Sequence, residues 1–186
     1  IYSGSDPSSA STWALVGVFK IPVPVGARCL VKLGADLAVI TSQGVIPLSK
    51  VLAATSTEQG YAAITDKIGP AFESSYRSDA TQFGWQVIEY PTAGLLIVNV
   101  PDNANSAYLQ FVQNTRTGAW CRFTGWAANC FDVFNDELYF GGAGSTFKAW
   151  QTQADNGTNI NAEVLQAFNY FGDKDGLKEW TLARPL

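Results

Sequence analysis

Three observations on the sequence predict an all-β fold. Charged residues make up only 15% of the 186 residues while aromatic residues reach 13%, and 17 glycines and 8 prolines interrupt the apolar runs every few positions. A pattern of three consecutive short strands recurs at intervals of roughly 40 to 60 residues. We therefore predict tandem antiparallel meanders that form part of a β-propeller-like structure, with one short helical insertion. The competing interpretation is a plain β-sandwich.

A strand and a first meander make up the first predicted blade-like unit, residues 1–48. The stretch "STWALVGVFKI" predicts a strand over 12–21. The next apolar runs predict strands over 29–33, 36–41 and 45–48. Gly34 opens the two-residue turn between the first two of these strands, because glycine adopts a positive φ at little steric cost.

A helical insertion is predicted over 49–83. Ile64, Ile68 and Phe72 lie four residues apart and would form one apolar stripe on a helix. Gly69 and Pro70 fall inside this stripe, so we expect a break there, with Pro70 starting a second short helix.

Two further blade-like units and a C-terminal hairpin complete the predicted order. The second unit, 84–126, contains four predicted strands, at 85–90, 95–100, 108–113 and 119–124. The third, 127–154, contains strands at 130–134, 137–140 and 146–150, with Asn135 and Asp136 in a hairpin turn. Residues 155–186 are predicted to be a linker and a hairpin with strands over 164–171 and 177–184. The polar stretch "DNGTNIN", 155–161, is interpreted as a turn, since it lacks the glycine and the glutamate of a calcium-binding loop.

Three units are fewer than the about four to eight blades of a closed propeller, so we expect an arc that other sheets complete. The chain contains no methionine, even at position 1, and we therefore expect it to be part of a longer protein. No run of about 18 apolar residues and no basic n-region followed by an apolar stretch is present, so neither a membrane span nor a signal peptide is predicted.

The charge pattern argues against tight binding of nucleic acid. The net charge is −4, from 12 basic and 16 acidic residues, and the basic residues are scattered. A protein that binds DNA tightly usually presents a basic stripe that releases counterions from the phosphates. A mildly acidic surface instead suits a wall past which DNA slides.

No set of catalytic residues emerges, and we predict no catalytic residue, no cofactor and no metal site. The chain has no histidine, which removes the usual general base and the commonest metal ligand. Cys29, Cys121 and Cys130 show no CxxC spacing and are predicted to be buried free thiols, with a bridge between Cys121 and Cys130 as the alternative. A glycosidase pair among the carboxylates is a weaker possibility; the candidates are Asp36, Glu89, Asp132 and Asp136.

The stretch "NTRTGAWCRFTGW", 114–126, resembles an aromatic binding site at first inspection. We interpret 114–118 as a turn, after which alternation sends Trp120 and Arg122 to one face of a strand and Cys121 and Phe123 to the other. The stretch is therefore predicted to join two blade-like units, with Trp126 beginning the crossing into the third. Candidate partner contacts within it are Arg116, Trp120, Arg122 and Trp126.

The order of several short phrases resembles the propeller-containing tail proteins of short-tailed bacteriophages, described as tail nozzle, tail tubular protein B, hub or packaged-DNA stabilisation protein. The phrases are "STWALVGVFKI", "ARCLVKLGADLAVITSQGVIPLS", "GWQVIEYP", "LLIVNVP", "QFVQNTRTGAWCRFTGW", "ELYFGG" and "LKEWTLARPL". The resemblance rests on repeat texture and contains no catalytic signature.

This resemblance implies a structural, non-enzymatic virion protein that is made in the host cytoplasm. Copies of it would form a ring below the portal and adaptor, continue the DNA channel without specific DNA binding, and help retain the genome until ejection. Tail fibre or needle proteins would attach to the outside.

Two other functions remain open from the sequence. One is a carbohydrate-binding or glycan-cleaving propeller of a host-recognition component, with Trp85, Trp120 or Trp126 as platforms on which sugars stack. The other is a secreted propeller enzyme, which the absence of histidine disfavours.

Overall fold

The fold is all-β with a short helical insertion, as the sequence predicts. A computed structural model describes residues 1–53, 63–152, 154–155 and 157–159. The chain divides into two compact units, Ile1–Ala149 and Trp150–Leu186. The first unit contains all three of the predicted meanders, each as a separate antiparallel sheet.

The N-terminal residues form a small hairpin in which β1 (Tyr2–Gly4) pairs with β2 (Trp13–Leu15). The predicted strand over 12–21 is therefore wrong in its length. The N–H groups of Val16 and Gly17 still donate to the carbonyl of Ile1 at 2.9 and 3.4 Å, but no described strand lies beside the residues that follow. An apolar run that has no neighbouring strand cannot form a ladder, so the strand ends.

The first meander consists of β3 (Leu30–Leu33), β4 (Asp36–Thr41) and β5 (Gly44–Pro47), in that spatial order. Leu33 faces Asp36 across the first turn, where Gly34 adopts the expected positive φ of 60°. The central strand is the most buried of the three, and Ala38 and Ile40 are fully buried. All three strands are predicted correctly to within a residue or two.

The helical insertion comprises α1 (Leu48–Ala53), a 3-10 helix (Ile64–Ile68) and α2 (Gly69–Asp79). Pro70 lies in the first turn of α2, as predicted, because its ring fits the start of a helix and its missing N–H is not needed there. The predicted apolar stripe faces the core: Phe72 is buried and contacts the Trp85 indole edge-on, with ring centroids 5.7 Å apart.

The second sheet has four strands, β6 (Gln86–Tyr90), β7 (Leu95–Asp102), β8 (Ala107–Asn114) and β9 (Trp120–Phe123), in sequential order. Both of its faces are covered. Leu96, Val98 and Val100 of β7 pack into one core cluster with the first sheet and α2, while Ile97 packs into a second cluster with the third sheet. This explains why β7 is apolar at nearly every position and not only at alternate ones.

The third meander consists of β10 (Cys130–Phe134), β11 (Glu137–Gly142) and β12 (Ser145–Lys148). The predicted turn between its first two strands is confirmed, since Asn135 and Asp136 both have positive φ, at 52° and 61°. Two successive positive φ values are the mark of a type I′ hairpin turn, which Asn and Asp tolerate better than most residues.

The three sheets are stacked in chain order, with their first strands close together. Arg28, just before β3, forms a parallel bridge with Gln86 at the start of β6, and the Gln86 side chain bonds the backbone of Phe131 in β10. Among the described residues no strand pairing connects the first sheet to the third, and no barrel closes. This fan of three sheets agrees with the predicted propeller-like arc. In a plain sandwich two sheets pack on each other, whereas here the second sheet packs against a sheet on each of its faces.

The second compact unit is described only in part. A short hairpin pairs β13 (Ala154–Asp155) with β14 (Thr158–Asn159), and Gly157 in its turn has a φ of 84°. This agrees with a turn at the start of the stretch 155–161. The predicted C-terminal hairpin, with strands over 164–171 and 177–184, lies outside the described residues.

Candidate functional site

The first half of the stretch 114–126 forms the predicted turn between β8 and β9. The Asn114 side chain accepts hydrogen bonds from the backbone N–H groups of Arg116 and Thr117, at 2.9 and 3.1 Å. Gly118 donates to the carbonyl of Asn114 and has a positive φ of 67°. Arg116 is exposed at the tip of this turn, so it is accessible to a partner.

Trp120 and Arg122 share one face of β9, as predicted, because they lie opposite Gln113 and Phe111 of β8. Trp120 is half-buried and packs against the first core cluster, and its Nε1 is buried without a hydrogen-bond partner in the described part of the chain. Arg122 is exposed on the outermost strand of the sheet. Only Arg122 of this pair is therefore freely accessible.

Trp126 is part of the core between the second and third sheets. Its indole stacks on Phe140 with ring centroids 5.1 Å apart and an angle of 11° between the planes, and it meets Phe123 edge-on at 5.5 Å. Such aromatic pairs contribute roughly 0.5–1.5 kcal/mol beyond the burial of area. The interpretation of this stretch as a joint between units holds, and the indole of Trp126 serves packing.

A buried row of amide side chains, which the sequence analysis missed, fixes the same joint. Gln86, Asn99 and Gln110 lie side by side on β6, β7 and β8 and are at most 9% exposed. The Gln86 amide makes two bonds to the backbone of Phe131 in β10, donating to its carbonyl at 2.7 Å and accepting from its N–H at 2.8 Å. One side chain thus takes the place of a strand-to-strand ladder pair between two sheets.

The other two amides hold the crossing segment that follows β9. Asn99 Nδ2 donates to the carbonyls of Gly84 and Ala128, both at 2.8 Å. Gln110 Nε2 donates to Asn99 Oδ1 at 2.8 Å and to the carbonyl of Trp126 at 3.3 Å. These bonds connect the crossing segment to β7 and β8, and within the row Gln110 Oε1 is buried without a partner among the described residues.

A groove of about 580 Å³ lies where the first strands of the three sheets meet. Its apolar part comes from Val31, Ile88 and Val133, with Gly34 and Pro91 beside them, and its charged groups are Lys32, Glu89 and Asp132. The Glu89 carboxylate accepts from the N–H of Gly34 at 3.2 Å and so connects the second sheet to the first turn. With one cation and two carboxylates, this inner-strand groove carries no basic stripe.

Of the four carboxylates considered for glycoside cleavage, two lie in one groove and two lie elsewhere. Glu89 and Asp132 share the groove, Asp136 lies in the turn between β10 and β11, and Asp36 accepts from the Ser49 hydroxyl at 2.5 Å. The Ser49 hydroxyl and the N–H groups of Leu37 and Ser49 lower the pKa of Asp36 below its ordinary value of 3.8. A general acid needs its pKa raised, so Asp36 is not suited to that role.

We expect the stability contributed by Asp36 to depend on pH. Because its pKa is lower in the folded state than in the unfolded chain, the contribution is present above pH 3.8 and is lost as the pH falls through the folded-state value. The difference in urea midpoint between the native chain and Asp36→Asn should therefore be largest near neutral pH and should shrink as the pH falls below 3.8.

Asp132→Asn is the matched control, since Asp132 is exposed and its carboxylate accepts from the adjacent Val133 N–H alone among the described residues. A midpoint difference for Asp36→Asn that stays the same at pH 3 and pH 7 would show that the charge of Asp36 does not stabilise the fold.

Two of the three tryptophans considered as sugar platforms are unsuitable. Trp85 is only 2% exposed and donates from Nε1 to the carbonyl of Asp79 at 2.8 Å, and Trp126 stacks on Phe140. Trp120 is half-buried and packs against the first core cluster. A sugar stacks on an open aromatic face, and of the three only Trp120 is neither fully buried nor stacked on another ring in the described part of the chain.

The cysteines are free, as predicted, but none of them is buried. All three are free, so the alternative bridge between Cys121 and Cys130 is absent. Cys29 and Cys130 are half-buried, whereas Cys121 is exposed on β9, the outermost strand of its sheet among the described residues. Within residues 1–53 and 63–159, as far as they are described, no three His, Cys, Asp or Glu side chains group to hold a metal ion.

In the described ranges, no helix has the length and apolar character that crossing a membrane requires. Comparison of the chain with models of protein families, with curated proteins and with solved structures gave no match.

Proposed function

We propose that this chain is a structural component of a bacteriophage tail, of the nozzle or hub type, and that copies of it form a ring below the portal and adaptor. In this role it continues the DNA conduit, helps retain the packaged genome and directs its ejection. The observation that carries the proposal is the open fan of three sheets with adjacent first strands. A propeller arc requires further sheets at its ends, and neighbouring copies in a ring supply them.

The charge of the inner-strand groove supports this function. In a propeller the first strands line the central channel, and here they present Lys32 together with Glu89 and Asp132. DNA that passes such a wall releases few counterions and is not retained by it. The same property would be a disadvantage in a protein that recognises nucleic acid.

The outer surface provides candidate contacts for the other tail proteins. Arg116 at the β8–β9 turn and Arg122 on β9 are exposed at the outer side of the second sheet. Arginine is enriched at protein interfaces because its guanidinium forms several directed hydrogen bonds. We assign these two residues as the contacts to adaptor, fibre or needle proteins, whereas Trp120 and Trp126 serve packing.

The proposal is tested on the virus particle. We expect a tagged copy of the chain to co-purify with tails at a fixed stoichiometry, and particles that lack it to package DNA and then lose it. Electron cryo-microscopy of the tagged particles would show the tag in a ring around the conduit. A chain found only free of particles, with DNA retention unaffected by its removal, would refute the proposal.

A second test concerns DNA on the isolated chain. The native chain should bind a duplex of about 30 base pairs only weakly, with a Kd of about 10⁻⁴ M or higher at physiological salt. Replacing Glu89 and Asp132 by lysine places three cations on the inner-strand groove, and we expect affinity to rise at least about 10-fold, with a steeper salt dependence. Fluorescence anisotropy measures both quantities.

The matched control is the double variant Asp6→Lys and Glu73→Lys, which changes the net charge equally at exposed positions outside the groove. Its affinity should rise much less. Tight, salt-dependent binding by the native chain would contradict a passive channel wall.

A further inference from the structure

The apolar arm (15–23), which begins at the last residue of β2 and continues beyond the N-terminal hairpin, presents apolar side chains to solvent. Six of its residues are 39–80% exposed, and Val18 is the most exposed. None of them belongs to a core cluster, and the first residue of the chain that does is Val25. The exposed residues are Leu15, Val16, Val18, Phe19, Ile21 and Val23.

Three residues in the middle of the arm have no backbone hydrogen bond in the described part of the chain. Among the described residues, Val18, Phe19 and Ile21 make no backbone hydrogen bond, whereas Val16 donates to Ile1 and Val23 accepts from Ser42. A hairpin of two strands is at best marginally stable alone in water. A segment that has both exposed apolar side chains and unpaired backbone N–H and C=O groups is suited to add as a strand to the edge of another sheet.

The third sheet offers such an edge. The second sheet has four strands, but the third ends at β12 without a fourth strand among the described residues. The outer edge of β5, the last strand of the first sheet, is covered by the 3-10 helix, because the N–H of Val45 donates to the hydroxyl of Thr65 at 3.1 Å. Within the part of the chain that the structure describes, the outer edge of β12 is therefore an unpaired sheet edge.

The side chains and the backbone of β12 both fit an added strand. Phe131, Phe140 and Phe147 lie opposite one another across β10, β11 and β12, and their ring centroids are 5.8 and 5.3 Å apart. This aromatic ladder ends at Phe147, which is half-buried at the open edge. The N–H of Ala149 donates to the carbonyl of Leu138, and hydrogen-bonded pairs alternate with non-bonded pairs along an antiparallel ladder. Thr146 and Gly141 therefore form a non-bonded pair, and the N–H of Thr146 points outward, away from β11.

We propose that the apolar arm of one copy of this chain adds to the outer edge of β12 in a second copy, as the fourth strand of its third sheet. The arm exposes on the order of 700 Å², close to the about 800 Å² that each partner contributes to a standard interface. The contact joins two different surfaces, so each copy can donate one arm and accept another, which produces a ring when the rotation closes. The choice of a second copy as the occupant rests on the proposed function.

The first test removes the apolar character of the arm. We expect Val18→Asp to raise the Kd of self-association at least about 30-fold, as loss of a central apolar contact does, measured by analytical ultracentrifugation. Ser5→Asp is the control, since it adds the same charge at an exposed position of the same hairpin. The thermal unfolding of both variants should match that of the native chain, because the arm is outside every core cluster.

The second test acts on the accepting edge. Thr146→Pro removes the outward N–H and keeps the bonds between β12 and β11, because proline is tolerated on an edge strand whose N–H faces away from the sheet. It should weaken self-association as much as Val18→Asp, while Thr146→Ala should leave it unchanged. Equal association by both Thr146 variants would overturn the proposed acceptor.

The third test identifies the contact. A photoreactive benzoylphenylalanine in place of Phe19, in a mixture of light and heavy-isotope chains, should cross-link to peptides of β12 in a chain of the other isotope. Cross-links within one copy, cross-links to any other segment, or a chain that stays monomeric would each overturn the inference. Cross-links in the isolated protein without incorporation into particles would refute the proposed function alone, and rings in particles without this cross-link would refute the arm alone.

Discussion

Asn99→Leu is expected to lower the free energy of unfolding by about 4 kcal/mol, although leucine is close to asparagine in size. Asn99 is fully buried, and its amide is bonded to Gly84, Ala128 and Gln110. The substitution leaves two buried carbonyls and part of the Gln110 amide without partners, and each such group costs about 1–3 kcal/mol. Urea denaturation followed by circular dichroism measures the change.

Two further variants separate hydrogen bonding from burial. Asn103→Leu makes the same substitution at an exposed position and should change stability by less than about 0.5 kcal/mol. Asn99→Asp keeps the shape and the acceptor for Gln110, but it turns a carboxylate oxygen toward two carbonyls, so it should destabilise at least as strongly as leucine. A loss below about 1 kcal/mol for Asn99→Leu would show that the amide row does not stabilise the joint between sheets.

The strands were predictable because their signals are local. Apolar runs separated by Gly34 or by Asn135 and Asp136 mark a strand, a tight turn and a strand within a dozen residues, and the observed registers follow these turns. The position of Pro70 in the first turn of α2 is a local signal in the same sense. Alternation along β9 likewise placed Trp120 and Arg122 on one face without any knowledge of the sheet.

The amide row could not be predicted because its signal is not local. Gln86 bonds to Phe131, 45 residues away, and Asn99 bonds to Ala128, 29 residues away. Within their own strands these amides interrupt apolar runs and would be expected to face solvent. Their burial depends on the stacking of two sheets, which places backbone groups of the crossing segment opposite them.

The arm and Cys121 were mispredicted for a related reason. The stretch 16–21 has the composition of a strand, but a strand also needs a neighbour, and the described residues provide none. Cys121 lies in an apolar segment but on the outermost strand, where one side remains open. Sequence pattern predicts which residues are able to form a strand, and the order of strands within the sheet decides which of them are covered.

Gly142→Ala is expected to destabilise the protein by about 3 kcal/mol, because a methyl group at this position collides with the backbone of another segment. A Cβ added to Gly142 at the end of β11 would lie 1.7 Å from the carbonyl oxygen of Ala127 and 2.8 Å from its carbon. The segment in contact is the crossing from Trp126 to Asn129, whose Ala128 is held by Asn99. The crossing must therefore move, and its movement strains the same joint.

Hydrogen exchange locates the damage, and two other glycines isolate its cause. Asn129 N–H donates to Gly141 at 2.9 Å, so Gly142→Ala should lower its protection more than that of amides in β4. Gly144→Ala adds a methyl group in open space at a φ of 76° and should cost only about 1 kcal/mol of backbone strain. Gly69→Ala has neither a collision nor a positive φ and should be neutral or slightly stabilising. If Gly142→Ala were no worse than Gly144→Ala, the crossing segment would not be packed tightly against β11.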